Sequence, residues 1–411
     1  MAVLRPGAHV AALNPGSSTL KVDLYRVDAA GRVDAAGRAG GLVDRLGGAE
    51  AELRLTVAGA AETRETWAGV AAPEAARHAV DRLAALLGPG EVLAAIGCRV
   101  VHGGARFTGP TRVTADVIDG VRALAPLAPL HNALDADVLA ASLARPGETP
   151  VVAVFDTAFH HTLPEVAWRY ALPRDLADAH GLRRYGFHGI AHRHVAERLR
   201  EQLGPRASAR CVTCHLGNGA SLAAIRDGRS VDTTMGLTPM EGLVMGTRAG
   251  DVDPGLVLHL QRALRHSPDE VEDILNTRSG LLGLSGRSAD VRDLERAAAG
   301  GDARADLALE IFAYRAAKAV AGCAVALDGL DAIAFSGGIG EHSAGVRARI
   351  ARRLGVLGVK LDEARNTSAA ATAGREPTGI SDASSAVQVW VIPADENLEI
   401  ARETGALLWG A

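Results

Sequence analysis

The chain has 411 residues, of which 48% are hydrophobic and 22% charged, with a formal net charge of -4. That length exceeds what one compact core usually holds, so two domains are expected. The near-neutral balance and the absence of like-charge runs give no support for a polyanion-binding surface, and no nucleic acid is expected as a partner. No apolar stretch is long enough to span a bilayer, Met1 to Gly16 lacks a signal-peptide pattern, and four cysteines fall short of a disulfide scaffold. A cytoplasmic location, reduced thiols and no membrane association are therefore expected.

Strand and helix patterns alternate along the chain, which favours an α/β architecture. His9 to Leu13 reads as a strand broken by Asn14-Pro15-Gly16-Ser17-Ser18, and Leu20 to Val27 resumes as a second strand. Val151 to Phe155 is a short apolar strand running into Asp156, and Val195 to Leu203 reads as helix. Cys211 to Leu216, the turn Gly217-Asn218-Gly219 and Leu222 to Ile225 repeat the N-terminal strand–turn–strand pattern, which suggests a duplicated plan. Ala308 to Leu327 is a long helix, and Ala332 to Phe335 a strand entering Gly337-Gly338-Ile339-Gly340-Glu341. Ala369 to Ser385 reads as a surface loop, Val387 to Ile392 as the last strand, and a terminal helix follows Pro393 to Asn397.

Several of these segments suit anion chemistry. The Asn14–Lys21 turn can bring backbone N–H groups, hydroxyls and a lysine around a phosphate, though the same residues make ordinary hairpin turns, and it lacks the Walker spacing. The glycines of Gly337 to Gly340 allow a nucleotide to approach the backbone, or merely permit a tight strand-to-helix turn. Asp156, at a strand end, either serves Mg²⁺ or caps a helix. Arg99, inside an apolar run, and Arg248, on a Gly-flanked loop, are either structural partners of carboxylates or reserved for an anionic ligand.

His188 and His192 stand four residues apart, but Gly189 occupies the place where a zinc-protease helix needs Glu. Cys211-Val212-Thr213-Cys214-His215 spells a haem-attachment motif, yet it falls on a strand, where residues three apart point to opposite faces.

Taken together the segments resemble the acetokinase family, the acetate and propionate kinases, within the actin, heat-shock chaperone and sugar-kinase superfamily. The similarity runs almost end to end, through Asn14 to Lys21, Arg99 to Gly104, Ala128 to Asn132, Val154 to His160, Tyr185 to Gly189, His215 to Gly219, Gly236 to Gly250, Gly280 to Asp293, Gly337 to Glu341 and Ile392 to Arg402. It implies two similar actin-like ATPase lobes of duplicated ribonuclease H-like fold with an interlobe cleft. The first would be residues 1–157 with 392–411, the second 158–391, bearing nucleotide binding and dimerisation. It further implies reversible phosphoryl transfer between ATP and a small carboxylate, acetate first and propionate or a broader short-chain acid as the alternative. Mg²⁺, replaceable by Mn²⁺, and a homodimer go with that activity.

By the same resemblance Arg99, Asp156, His188 and Arg248 would be catalytic, and Asn14 and Glu396 would hold the metal. Arg99, Val101, Leu130, His131, Phe187 and Pro239 would meet the acyl substrate. Ser17, Thr19, Lys21, His215, Gly217, Asn218, Gly219, Asp290, Val291, Arg292, Gly338, Ile339, Gly340 and His342 would meet the nucleotide. Pro15, Thr19, Ala105, Ala133, His342 and Asp395 depart from the usual family wording, the last two near the expected adenine edge and metal site.

Overall fold

The computed structural model describes residues 6–16, 18–129, 131–371 and 376–410, so Ser17 and Leu130 lie outside the described residues. The chain forms two compact units, Met1–Phe159 with Asp395–Ala411, and His160–Ala394.

The first unit is built on an eight-stranded sheet: β1 (Ala8–Pro15), β2 (Leu20–Arg26), β3 (Ala39–Asp44), β4 (Glu50–Val57), β5 (Thr63–Ala68), β6 (Val92–Val100), β7 (Thr111–Arg112) and β8 (Val151–Phe155), in the order β5-β4-β3-β2-β1-β6-β8-β7. The first five strands form an antiparallel meander, whereas β1, β6 and β8 run parallel. Every residue of β1 is buried, as expected of a strand covered on both faces.

Strand alternation assigns those faces. Ile96, Cys98 and Val100 share an apolar cluster with the alanine-rich helices Ala72–Ala84 and Asn132–Leu143. Gly97 faces the other way, onto the helix Glu396–Trp409; a Cβ there would collide with Thr404 and come within 2.7 Å of Ile400 Cγ2. With a side-chain period of two, Arg99 joins Gly97 on the face covered by that last helix. An arginine in an apolar strand is thereby aimed at the helix start instead of into the core.

The second unit carries β9 (Arg210–Leu216), β10 (Ala220–Arg226), β11 (Arg229–Thr233), β12 (Ala332–Ser336), β13 (Thr378–Gly379) and β14 (Gln388–Val391), ordered β11-β10-β9-β12-β14-β13. This reproduces the run β3-β2-β1-β6-β8-β7 strand for strand. The hairpins β1–β2 and β9–β10 are both antiparallel, the next two steps are parallel, and each sheet ends on a short antiparallel strand. The duplicated α/β plan suggested by two similar turns is present in the topology, and β4 and β5 extend only the first copy.

Element limits differ from the sequence reading by a residue or two at several strands and by more, or for a distinct reason, in four places. Asn14 and Pro15 do not break β1 but end it, because Pro15 lies past the β6 ladder and needs no N–H there. The helix expected from Val195 starts at Gly189, entered through His188 in a left-handed conformation (φ 56°), and is interrupted at Gly204. The long helix starts at Ala303, where Asp302 accepts from the N–H groups of Arg304 and Ala305. Of the expected loop 369–385, Ala369 to Ala371 continue a helix and Thr378–Gly379 pairs with β14, while residues 372–375 lie outside the described residues.

Candidate functional site

In the first unit, polar side chains gather at the carboxyl ends of the parallel strands β1, β6 and β8, where α/β sheets bind ligands. The register pairs Arg99 with Val154 and Val100 with Phe155, which sets Asp156 beside the end of β6. Arg99 Nε and Nη2 donate to Asp156 Oδ2 at 3.1 and 2.6 Å, and Nη1 donates to the Pro15 carbonyl at 3.0 Å. Asn14 Nδ2 donates to Glu396 Oε2 at 2.7 Å, so the end of β1 is tied to the first turn of the last helix. Asp395 caps that helix by accepting from Leu398 N, and also receives the Tyr25 hydroxyl.

Burial alone would lower the Arg99 pKa, but Asp156 and Glu396 carry it above its ordinary value. Burial lifts the Asp156 carboxyl, with Glu396 adding to the rise and Arg99 opposing it. Asp156 Oδ1 is buried and has no hydrogen-bond partner among the described residues. An orphaned carboxylate oxygen, with Asn14 and Glu396 in the same cluster, is a hard oxygen-donor set of the kind Mg²⁺ takes, one or two carboxylates leaving room for water and phosphate. The residues present therefore fit that ion.

The loop after β6 is held from behind. Val101 N donates to Asp135 Oδ2 at 2.9 Å, His102 N to Asn132 Oδ1 at 3.1 Å, and Asn132 Nδ2 returns to the His102 carbonyl. Neither Asn132 nor Asp135 was singled out from sequence, since nothing local shows that a helix 30 residues on will dock there. Val101 is nearly fully buried and His131 sits at the start of the same helix. Lys21 is exposed and lies opposite Asn14 across the hairpin, and Thr19 closes the turn by accepting from Gly16 N.

In the second unit His188 Nδ1 lies 2.9 Å from Ser221 Oγ, and its ring is 4.8 Å from that of His215. A Cβ placed on Gly219 would stand 3.4 Å from His188 Nε2 and 3.6 Å from Arg248 Nη1. The imidazole and the guanidinium thus approach the same glycine of the Gly217–Gly219 turn. Arg248 Nη1 donates to the Pro239 carbonyl at 2.9 Å, and burial pulls its pKa down. Its hydrogen bonds go to that carbonyl and to Met245 Sδ, with no carboxylate among the described residues paired to it. Phe187 is buried, and its carbonyl is 3.0 Å from His160 Nε2. His188 and His192 converge on one hydroxyl, Ser221 Oγ, so the spacing that hinted at zinc serves a hydrogen-bond chain.

A cavity of about 530 Å³ in the same unit is lined by Gly217, Asn218, Asp290, Val291, Arg292, Gly338, Ile339 and His342, and by Ala289, Glu295 and Ser343, which the sequence reading missed. Gly340 is buried in the helix that begins at Gly337. Asp290 caps the helix Val291–Ala299 and pairs with Arg292, whose hydrogen bonds bring its carboxyl down to about 2. Glycines from two strand ends thus share a pocket with a charged pair, an arrangement suited to a nucleoside phosphate. Cys211 and Cys214 are buried in β9, and burial raises both thiols, which fits neither haem attachment nor reactivity.

Residues 9–402 match the Acetokinase family. An acetate kinase of Deinococcus radiodurans is 49% identical over 400 residues, covering 97% of this chain and 98% of its own. Among solved structures, Porphyromonas gingivalis acetate kinase aligns with a TM-score of 0.86 at 37% identity, covering 98% of this chain and all of that one. A propionate kinase from Francisella tularensis aligns with a TM-score of 0.86 at 35% identity, covering 96% and 98%.

Proposed function

This chain belongs to the acetokinase family, and on that premise we propose that it transfers the γ-phosphoryl group of ATP reversibly to acetate, giving acetyl phosphate and ADP by direct in-line displacement. An acetate carboxylate is ionised at neutral pH, so the acceptor needs no general base. What the reaction needs is relief of repulsion between two anions and stabilisation of charge on the equatorial oxygens.

Arg99 and Arg248 supply the cations, and His188 donates from Nε2 to the transferring phosphoryl group. Asn14, Asp156 and Glu396 would hold Mg²⁺, which would supply neutralisation of phosphate charge there. Lys21, Ser17 and Thr19 line the first phosphate turn, with Gly217 to Gly219 and His215 completing the phosphate contacts. Asp290 to Arg292 and Gly338 to His342 receive the adenosine. By the resemblance, Val101, Leu130, Phe187 and Pro239 would meet the acyl group, with His131 beside the substrate.

The observation that carries this reading is the commitment of Asp156 to Arg99 through Oδ2. A hydroxyl acceptor would need an acid to take its proton, whereas here Asp156 Oδ2 is paired with a cation that suits a carboxylate acceptor. The test is hydroxamate formation from acetate, Mg-ATP and hydroxylamine. Acetohydroxamate is expected, and its absence with folded protein would overturn the reading.

The similarity to a solved propionate kinase keeps a second acceptor in view. A methylene in a small apolar recess is worth only about 1–3 kcal/mol, and kcat/KM for formate, acetate, propionate and butyrate in parallel separates the two. A cytoplasmic homodimer belongs to the same proposal; light scattering on the purified protein checks the dimer, and cell fractionation the location.

A further inference from the structure

Behind His188 runs a chain of hydrogen-bonding groups that the reaction above does not itself use. Ser221 Oγ sits 2.9 Å from His188 Nδ1 and 2.8 Å from His192 Nε2, and His192 Nδ1 sits 2.7 Å from Thr213 Oγ1. Ser221, His192 and Thr213 are all fully buried. They come from three elements, β10, the helix Gly189–Ala207 and β9, so the chain is built into the core of the unit.

We infer that Ser221 and His192 are positioning residues that keep a proton on His188 Nε2 whichever charge the imidazole carries. The inference rests on the assignment of His188 as the phosphoryl donor. A serine hydroxyl donates one proton and accepts others, and a neutral imidazole has one N–H and one lone pair. When His188 is neutral, Thr213 O–H donates to His192 Nδ1, His192 Nε2–H to Ser221 Oγ, and Ser221 O–H to His188 Nδ1. Run the other way, the chain would leave the buried Thr213 hydroxyl proton without an acceptor among the described residues, so the neutral ring keeps its proton on Nε2. When His188 is charged, every bond in the chain reverses: Nδ1–H donates to Ser221, Ser221 to His192 Nε2, and His192 Nδ1–H to Thr213. Nε2–H is retained in both states.

The reversal requires His192 to stay neutral throughout. Burial, with His160 and His215 nearby, drives its pKa well below the ordinary value. Titratable groups around the pair among the described residues include His160 at 5.7 Å from the His192 ring, His215 at 4.8 Å from the His188 ring, and Arg248 across Gly219. Strand β12, also packed against this helix, brings none.

Removing the hydroxyl by Ser221→Ala leaves the neutral ring to choose its own tautomer, so that only the imidazolium reliably presents Nε2–H. Wild-type kcat is expected to change by less than about threefold between pH 6.5 and 8.5, while kcat of Ser221→Ala falls at least about tenfold over that span with KM for ATP and acetate held within about twofold. Ser221→Thr, which keeps a hydroxyl, should retain the wild-type profile, and Ser221→Cys, nearly isosteric but a weak donor, should show part of the loss. A uniform loss at all pH values, or a Ser221→Ala or Ser221→Cys profile parallel to wild type, overturns the relay. His188→Ala separates the two claims. If it is as active as wild type, the role of His188 fails; if it is inactive while the Ser221 variants behave as wild type, only the relay fails.

Discussion

Arg99 holds Asp156 by two N–H groups on a single carboxylate oxygen, Oδ2, and leaves Oδ1 buried without a partner among the described residues. In the proposed reaction the pair is structural and functional at once, because the arginine that orients the carboxylate would also carry the charge an anionic substrate needs.

Arg99→Ala is accordingly expected to lose stability as well as activity. Breaking a buried pair by deleting one partner costs about 3–5 kcal/mol, and kcat should fall by about 10²–10³. The double variant with Asp156→Asn should recover most of the stability and none of the activity. Denaturant unfolding of the two variants checks this, and an Arg99→Ala midpoint equal to wild type would refute the coupling.

Arg248→Ala should behave differently. Its guanidinium is held by the Pro239 carbonyl and strands no buried carboxylate when removed. A kcat loss of about 10²–10³ with a stability change under about 1 kcal/mol is expected, measured by steady-state kinetics beside thermal unfolding.

The acid behind the Arg99 loop introduces a pH dependence. Burial pushes the Asp135 carboxyl up to about 7, against the opposing hydrogen bond from Val101. Its folded value lies above the unfolded one, so the folded state binds the extra proton between pH 4 and 7. Stability from this group is full below about 4 and is lost as pH rises through about 7, by up to about 4 kcal/mol. Asp135→Asn keeps an acceptor for Val101 and should flatten that part of the profile. Unfolding free energies from pH 5 to 8.5 test it; a wild-type-like slope in the variant would count against the assignment.

Gly246 offers a steric test of the phosphate turn. A Cβ on Gly246 would run into Asn218 Oδ1, displacing a side chain that lines the cavity proposed for the nucleotide. Gly246→Ala should lower kcat/KM for ATP by about tenfold, which is about 1.4 kcal/mol of transition-state stabilisation, with KM for acetate less affected. Equal effects on both substrates would point to general unfolding of the loop.

Local patterns in the sequence determined the parts whose physics is local. Turn residues between apolar runs located both hairpins, Asn14 to Lys21 and Gly217 to Gly219, and the apolar run before Asp156 located β8 to the residue. The order of those segments along the chain was enough to place it in its family. Boundaries set by a cap or a left-handed residue were less legible, as at His188 and Asp302, because one backbone angle or one side-chain hydrogen bond decides them.

Only the tertiary structure decided which groups meet. Arg99 finds Asp156 57 residues on, and Asn14 finds Glu396 382 residues on. Alternation in β6 shows that Arg99 and Cys98 face opposite ways, but only the sheet order and the docking of the last helix make Arg99's face the polar one. The same holds for Ser221, unremarkable in an apolar strand until β9 and the helix from Gly189 bring Thr213, His192 and His188 around it. Such contacts arise from packing across the fold, and no window of sequence contains both partners.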